Sequence, residues 1–440
     1  CAVDWNDVQG DRAGVLRTSG IPAYELPATT PNSMAGLEML RLSKVSVSEE
    51  VISLLTPVLD AYEKWIGERR AEIPSLASQE LRDTASVHID LCNQALERMW
   101  TGLHLLEQDQ QVFEAFRFAN RAMLLQRSHS EWAQQYRRTG KRQTATPVAA
   151  GTWRPFQIAF ILLNLPGIAR PEGDDRALVD LLWFPTGGGK TEAYLGLTAF
   201  TLALRRLRGK INGMNGDGGV TVIMRYTLRL LTTQQFQRAT ALICACEYLR
   251  RQNAQKWGNR PFQIGLWVGA GATPNNITDA DEVLTKLRNG IDVREGNPVQ
   301  MPFCPWCGEK LTASNYHIDK DRGQLILVCP RKECAFYGTE QKLESGIPAL
   351  VVDEDIYHQC PSLLLATVDK FARLPWLPQT MALFGRVSRC CPKHGYLVHT
   401  DNHSVTHRGT NRTAPITVQN CDPFLPPELI IQDELHLISG

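Results

Sequence analysis

Three consecutive glycines interrupt an apolar run and lead directly into an amphipathic helical pattern, in the stretch LLWFPTGGGKTEAYLGL at residues 181–197. A turn from a strand end into a helix N-terminus leaves backbone N–H groups available and places the positive end of the helix dipole beside them, so it favours an anion. The glycines permit the turn and a close approach to phosphate. Lys190 would bridge the β- and γ-phosphates of a nucleotide, and Thr191 would ligate Mg²⁺. The loop therefore predicts a nucleotide-binding α/β fold.

The loop alone does not decide the matter, because Gly-Lys-Thr is a short pattern and Phe184 stands where G-x-x-x-x-G-K-[ST] begins with glycine. The alternative is a glycine turn that only starts a helix. A second motif favours the nucleotide: ELIIQDELHLISG at 428–440 ends an apolar strand in two carboxylates. Asp433 would bind Mg²⁺, and Glu434 would orient and deprotonate water.

The spacing of the apolar residues divides the chain into two parts. Apolar residues at three- and four-residue spacing predict a helical N-terminal domain over 1–136, followed by a linker over 137–152. From 153 to 440, short apolar runs alternate with helices, which predicts a parallel sheet covered on both faces. The five predicted strands are ALVDLLWF, GVTVIMR, FQIGLWVG, PSLLLATV and ELIIQD. Insertions at about 275–358 and 385–425 interrupt this alternation, and both contain cysteines.

Charge and hydropathy limit the partners. The net charge is +1, so any contact with nucleic acid must come from local patches. Two basic runs are candidates, although such runs also occur as solvated faces: Arg137, Arg138, Lys141 and Arg142, and then Arg205, Arg206, Arg208 and Lys210. No apolar run reaches the length of a membrane span and no signal peptide opens the chain, so we expect a cytoplasmic protein without membrane contact.

The chain has 12 cysteines, and in a reducing compartment clustered thiols are metal ligands before they are disulfides. CPWCGEKL and CPRKECAFYG place two thiol pairs with zinc-ribbon spacing. The predicted Zn²⁺ ligands are Cys304, Cys307, Cys329 and Cys334. A closed site of four thiolates is structural and would fold an insertion that lacks its own core. The alternative is four reduced thiols.

A second cluster, RCCPKHGYLVHTDNHSVTH with a later NC, offers more ligands than one metal needs. The candidates are Cys390, Cys391, His394, His399, His403, His407 and Cys421. The C-x2-H pair Cys391 and His394, with Cys421 returning to it, is the ligand set we select for a second zinc. Otherwise these are surface histidines in a polar loop.

Five elements, in the expected order, resemble superfamily 2 helicases: WRPFQ, PTGGGKT, MRYTLRLLTTQQ, ATVDKF and DELH. The resemblance implies a RecA-like P-loop domain, the first of two, with a helical N-terminal domain and zinc-ribbon-type insertions. It assigns nucleotide binding to Gln157 (which would read adenine), Thr186, Gly187, Gly188, Gly189, Lys190 and Thr191. The catalytic residues would be Lys190, Asp433, Glu434 and His436. Nucleic-acid contacts would fall on Arg225, Thr227, Thr367, Asp369 and Lys370.

A closer resemblance covers most of the chain. EAFRFANRAMLLQ, LLLATVDKFARLPW and IIQDELHLISG are similar to the helicase subunit of DISARM-type bacterial anti-phage systems. This implies an ATP-dependent helicase or translocase that acts on phage DNA with a partner subunit, using ATP, Mg²⁺ and Zn²⁺. The second RecA-like domain, with its arginine finger, is not in this segment, so we expect weak hydrolysis without it. Two alternatives remain: an ATP-gated nucleic-acid scaffold or clamp, and an RNA helicase.

Overall fold

The computed structural model describes residues 33–141, 147, 151–184, 188–226, 233–407, 415–433 and 435, together with two strands in the first 32 residues. The α-helices are α1 Met39–Lys44, α2 Ser48–Glu72, α3 Gln79–Gln108, α4 Gln110–Thr139, α5 Pro155–Ala169, α6 Lys190–Arg208, α7 Thr233–Gln252, α8 Ala254–Trp257, α9 Ile277–Arg288, α10 Asp353–Gln359 and α11 Val368–Phe371. The strands are β1 Ala2–Trp5, β2 Ala13–Arg17, β3 Lys210–Ile211, β4 Met214–Asn215, β5 Val222–Tyr226, β6 Ile264–Trp267, β7 Tyr316–Asp319, β8 Gln324–Leu327, β9 Ala349–Leu350, β10 Leu363–Thr367, β11 Arg389–Cys391, β12 Gly395–Leu397, β13 Thr406–His407, β14 Ile416–Thr417, β15 Gln419–Asn420 and β16 Leu429–Gln432.

The chain forms two compact units, Cys1–Asn32 and Ser33–Gly440. In the first, β1 and β2 pair as an antiparallel hairpin. The second contains everything else. Its helical region and its sheet share one apolar core, to which Phe116 of α4, Phe200 of α6 and Leu363 of β10 all belong. The helical region and the sheet therefore belong to one compact unit, and the predicted domain boundary at 137–152 stays a prediction.

Helix α4 is the long buried helix of this body. Its N-terminus is capped by Asp109, whose carboxylate accepts from the backbone N–H groups of Gln111 (2.8 Å) and Val112 (3.2 Å). Its C-terminus ends at Gly140 in the left-handed conformation (φ 67°). Side chains along most of its length are buried. Because α4 contacts both α6 and α7, it lies against the helices that flank the sheet.

The main sheet is parallel, with strand order β16-β5-β10-β6-β9. Four of its strands overlap predicted runs, and the two-residue β9 was not predicted. In the register, Ile223 of β5 pairs with Leu364 of β10 and with Ile430 of β16. Since the strands are parallel, the carboxyl ends of β5, β6, β10 and β16 lie along the same edge.

The run ALVDLLWF was predicted as a strand, and this prediction is wrong. Asp174–Ala177 form a 3-10 helix, and residues 178–184 have no regular structure. Val179, Leu181 and Trp183 are 95%, 75% and 73% exposed. The segment is held instead by a bidentate bond of Arg98 on α3 to the Asp180 carboxylate (2.6 and 2.8 Å). An apolar run becomes a strand only when a neighbouring strand accepts its hydrogen bonds.

The two insertions form small sheets of their own. Between α9 and α10, β7 and β8 form an antiparallel hairpin beside the four cysteines of the first cluster. Between 385 and 425, β12, β11 and β15 form a three-stranded antiparallel sheet. Among the helices of the described ranges, none combines the length and apolarity needed to cross a membrane.

Candidate functional site

The glycine loop meets the N-terminus of α6 at Gly189. This residue is the N-cap and has φ 95° and ψ 24°, the left-handed conformation that suits glycine. A Cβ at this position would lie 2.8 Å from Nε2 of Gln157, closer than a Cβ tolerates. Backbone conformation and close packing therefore both require glycine at the point where the loop becomes helix.

The N-terminal turn of α5 is hydrogen-bonded to the glycine loop. Arg154 donates to the carbonyl oxygen of Gly188, and Nε2 of Gln157 donates to the carbonyl oxygen of Gly189 (2.8 Å). The other end of the Gln157 amide accepts from the backbone N–H of Arg154 (2.8 Å). Gln157 is 4% exposed, and both ends of its amide are engaged within the chain. In this structure the Gln157 side chain positions the loop, and adenine recognition by Gln157 stays a prediction.

Phe184, which departs from the usual glycine, also has a structural role. Its ring stacks on Phe156 of α5, with centroids 4.2 Å apart and planes 9° apart. Its carbonyl oxygen accepts from Nζ of Lys190 at 2.9 Å. The aromatic pair thus fixes the entry of the loop to α5, and the lysine bends back over the loop.

Asp433 follows β16 at the edge where the parallel strands end. It is 7% exposed, and its backbone N–H donates to the carbonyl of Arg225 at 3.2 Å. Asp433 lines one cavity of about 620 Å³ together with Gly188, Gly189, Lys190 and Thr191. The structure therefore brings the glycine loop and the acidic strand end together. Thr186, Gly187, Thr227, Glu434 and His436 lie outside the described residues.

The lining of this cavity is polar and positively charged. Its basic residues are Arg127, Arg137, Arg154, Lys190 and Arg238, and its acidic residues are Glu131, Glu192 and Asp433. An excess of cations, with the N-terminus of a 19-residue helix, favours an anionic ligand.

Two contributors to this cavity were not selected from the sequence. Arg238 of α7 forms an ion pair with Glu192 in the first turn of α6. Helix α4 supplies Arg127, Glu131 and Arg137. The basic run at Arg137 was a visible signal, but nothing in the sequence pointed it towards the glycine loop.

Two of the predicted nucleic-acid contacts are buried, and for them the expectation is corrected. Lys370 is 3% exposed and forms a buried ion pair with Asp353 of α10. Thr367 is fully buried. Arg225 is half-buried with its guanidinium 5.3 Å from the ring centroid of Phe371, and Asp369 is exposed. Helix α10, which belongs to the first insertion, covers the lysine that the motif pattern assigned to the surface.

Burial changes the acid strength of the carboxyl in this pair. Removal from water raises the pKa of Asp353, while the charge of Lys370 opposes that rise. A buried carboxylate of this kind is stabilised by its ion-pair partner, so the Asp353 pair holds the Lys370 side chain in the interior.

The four cysteines predicted for zinc come together. Sγ of Cys304 lies 3.9 Å from Sγ of Cys334, and Sγ of Cys307 lies 3.5 Å from Sγ of Cys329. Thiolates at the corners of a tetrahedron around Zn²⁺ would be about 3.8 Å apart, whereas a disulfide would need about 2.0 Å. Zn²⁺ fits this donor set and its spacing.

The second cluster forms with a different membership from the one we selected. Ligand atoms of Cys391, His394, His403 and His407 all lie within 4.8 Å of one another. Sγ of Cys391 is 3.3 Å from Nε2 of His407 and 3.6 Å from Nδ1 of His394. Burial, with two histidines nearby, lowers the pKa of His394 to about 4 and keeps its imidazole neutral, the form that binds metal.

Cys421 is not a member of this group. It packs beside a small apolar cluster that contains Cys360, Tyr396 and Phe424. The sequence offered His403 and His407 as candidates, but the loops of the insertion, rather than any regular spacing, decide which ligands meet.

These features define a mixed α/β protein with a helical N-terminal region, a five-stranded parallel sheet and two Cys/His groups of zinc-binding geometry. The chain is similar over its whole length to the DISARM protein DrmA of Bacillus paralicheniformis, with 37% identity over 459 residues. This relationship confirms the resemblance to a DISARM subunit. The chain spans 40% of the length of that relative. No protein-family model matches the chain.

Proposed function

We propose that this chain is the ATP-binding part of a helicase-type subunit of a DISARM anti-phage system, with a RecA-like fold and nucleic acid, primarily DNA, as its substrate. The observation that carries the proposal is the shared cavity of Lys190, Thr191 and Asp433. A phosphate-binding loop and an acidic strand end are the two halves of a Mg²⁺–nucleotide site, and each is uninformative without the other.

In the proposed site, each residue has a distinct task. Lys190 would leave the carbonyl of Phe184 and turn to the β- and γ-phosphates. The hydroxyl of Thr191 and the carboxylate of Asp433 would hold Mg²⁺, since hard cations prefer oxygen ligands. Glu434 would orient and deprotonate the attacking water. The bound Mg²⁺ supplies neutralisation of the phosphate charge.

Both Cys/His groups are proposed as structural zinc sites. Each would offer four protein ligands to the ion, which would leave no position for a substrate or a water molecule. Each lies in an insertion with little core of its own, where metal binding contributes directly to folding.

The wider assignment rests on the relative. DrmA is a DISARM protein, and this supports a defence role and association with another subunit of such a system. A second RecA-like domain would have to complete the catalytic site, because charge that develops on the γ-phosphate needs a further cation.

The test is the nucleic-acid-stimulated ATPase of the protein that carries this chain, with DNA and RNA of defined strandedness. Lys190→Ala and Glu434→Gln should each reduce turnover at least about 100-fold without unfolding the protein. Lys64→Ala is the control, because that lysine is exposed on α2 and does not line the cavity. Unchanged turnover in Lys190→Ala would refute the assigned role. Stimulation by RNA alone would favour an RNA helicase, and ATP binding without turnover would favour a clamp.

A further inference from the structure

One face of α4 lines the cavity that contains Lys190. Arg127, Glu131, Gln134 and Arg137 line it, together with Ser130 between them. Their spacing of three and four residues places them along a single stripe of the helix. The helical region therefore contributes one continuous wall to the cavity that the loop and Asp433 also line.

A neighbouring stripe of α4 packs against the segment that contains Cys304, Cys307, Cys329 and Cys334, here called the four-cysteine module. His129 stacks on Trp306, with ring centroids 3.4 Å apart, and its Nδ1 donates to the Trp306 carbonyl at 2.9 Å. One turn further along, Gly308 (φ 78°) packs so closely that a Cβ there would lie 2.8 Å from the carbonyl oxygen of Ala133. The module is therefore packed on the helix at two points, one turn apart.

Arg137 lies where the two stripes meet. Its guanidinium lies 5.2 Å from the ring centroid of Phe303, the residue before Cys304. Cys304 and Pro305 line the same cavity as Arg137 and Lys190. A guanidinium that makes a cation–π contact with a ring keeps N–H donors with which it can bind phosphate oxygens.

The other arginines of the cavity have acceptors within the chain. Arg127 pairs with Glu131, Arg154 donates to Gly188, and Arg238 pairs with Glu192. A ligand phosphate would have to displace one of these partners to reach them. The contact of Arg137 with Phe303 can persist while phosphate binds.

We propose, resting on the nucleotide function above, that α4 and the four-cysteine module form a third wall of the nucleotide pocket and that Arg137 binds a phosphate of the nucleotide. This gives the helical region a role in nucleotide binding. It also makes the four-cysteine module part of the pocket, because Phe303 holds the guanidinium of Arg137 in place.

The experiment measures the affinity of the protein for a fluorescent ATP analogue with Mg²⁺. Arg137→Ala should weaken binding about tenfold, the loss expected for a charge-assisted hydrogen bond. Arg138→Ala is the matched control, since Arg138 is the next residue on the same exposed turn and does not line the cavity. The affinity of Arg137→Lys should lie between those of Arg137→Ala and Arg138→Ala, because lysine keeps the charge and loses the planar fork.

The outcomes separate this inference from the function on which it rests. If the unaltered protein does not bind the analogue, or binds it equally well with Lys190→Ala, the proposed function fails. If Lys190→Ala abolishes binding and Arg137→Ala matches Arg138→Ala, only the role of Arg137 is overturned. Zinc content and Tm are measured on each variant. A loss of affinity in Arg137→Ala that is accompanied by a loss of zinc also overturns the phosphate role, since it reports a structural one.

Discussion

The ring of His129 on α4 lies against the ring of Trp306 in the four-cysteine module, with centroids 3.4 Å apart, and its Nδ1 donates to the Trp306 carbonyl. This pair joins the helical region to the first insertion, about 180 positions apart in sequence. Because both elements line the cavity with Lys190, their junction bears on the shape of the candidate nucleotide site.

Acid should weaken this junction. Burial lowers the pKa of His129 to about 4, against 6.5 in the unfolded chain. Between these values the unfolded chain binds the extra proton, so stability is lost as pH falls from 6.5 towards 4. The expected loss between pH 7 and pH 5 is about 2 kcal/mol, measured by urea unfolding.

The variant His129→Asn isolates this effect, since its side chain does not titrate. The difference in stability between it and the unaltered protein should shrink as the pH falls from 7 to 5. A difference that stays constant across this range would exclude His129 as the group responsible, and would leave the histidines of the second cluster to account for any acid sensitivity.

The four-cysteine module should lose its metal when one ligand is removed. Cys304→Ser is expected to reduce the zinc content by one ion per chain and to lower Tm, because metal binding supplies folding energy to the insertion. Cys92→Ser is the control, as Cys92 is half-buried on α3 and belongs to neither group. Zinc content is measured by elemental analysis after dialysis. Equal zinc in both variants would contradict the site.

Two ligand sets can be distinguished for the second cluster, one that contains His403 and His407 and one that contains Cys421. His407→Ala should remove one zinc ion per chain, since Nε2 of His407 lies 3.3 Å from Sγ of Cys391. Cys421→Ser should leave the zinc content unchanged, because Cys421 packs beside a separate apolar cluster. The reverse result would restore the ligand set expected from the sequence.

The glycine loop should not tolerate a side chain at its last position. Gly189→Ala would place a Cβ 2.8 Å from Nε2 of Gln157 at a backbone φ of 95°. We expect a cost of about 1–3 kcal/mol in stability and a clear loss of nucleotide affinity. Gly67→Ala is the control, because Gly67 lies in α2 with open space around it and should keep full affinity. Normal nucleotide binding by Gly189→Ala would show that the loop geometry is not required.

The sequence predicted what depends on local pattern. Four strands of the sheet, the helix that begins at Lys190 and the association of the four cysteines all follow from short-range spacing. The features it missed depend on distant neighbours. The run at 178–184 has the composition of a strand, but Asp180 is held by Arg98 of α3. Lys370 follows a strand end, but Asp353 removes it from the surface.

The same reason explains the misassigned ligand. His403 and His407 lie in polar loops without periodicity, so only the folded insertion shows that they meet Cys391 and that Cys421 does not. The part played by α4 could not be read from its helical pattern either. An amphipathic stripe shows that a helix has a buried face, but not which element lies against it.

The central claim is that the glycine loop and Asp433 hold one Mg²⁺–nucleotide, and calorimetric titration of ATP with and without Mg²⁺ tests it most directly. Lys190→Ala should abolish binding under both conditions. Asp433→Asn should keep Mg²⁺-free binding and lose the gain in affinity that Mg²⁺ brings to the unaltered protein. If Asp433→Asn retains the full gain from Mg²⁺, the strand end and the loop do not share a ligand, and the nucleotide assignment is contradicted.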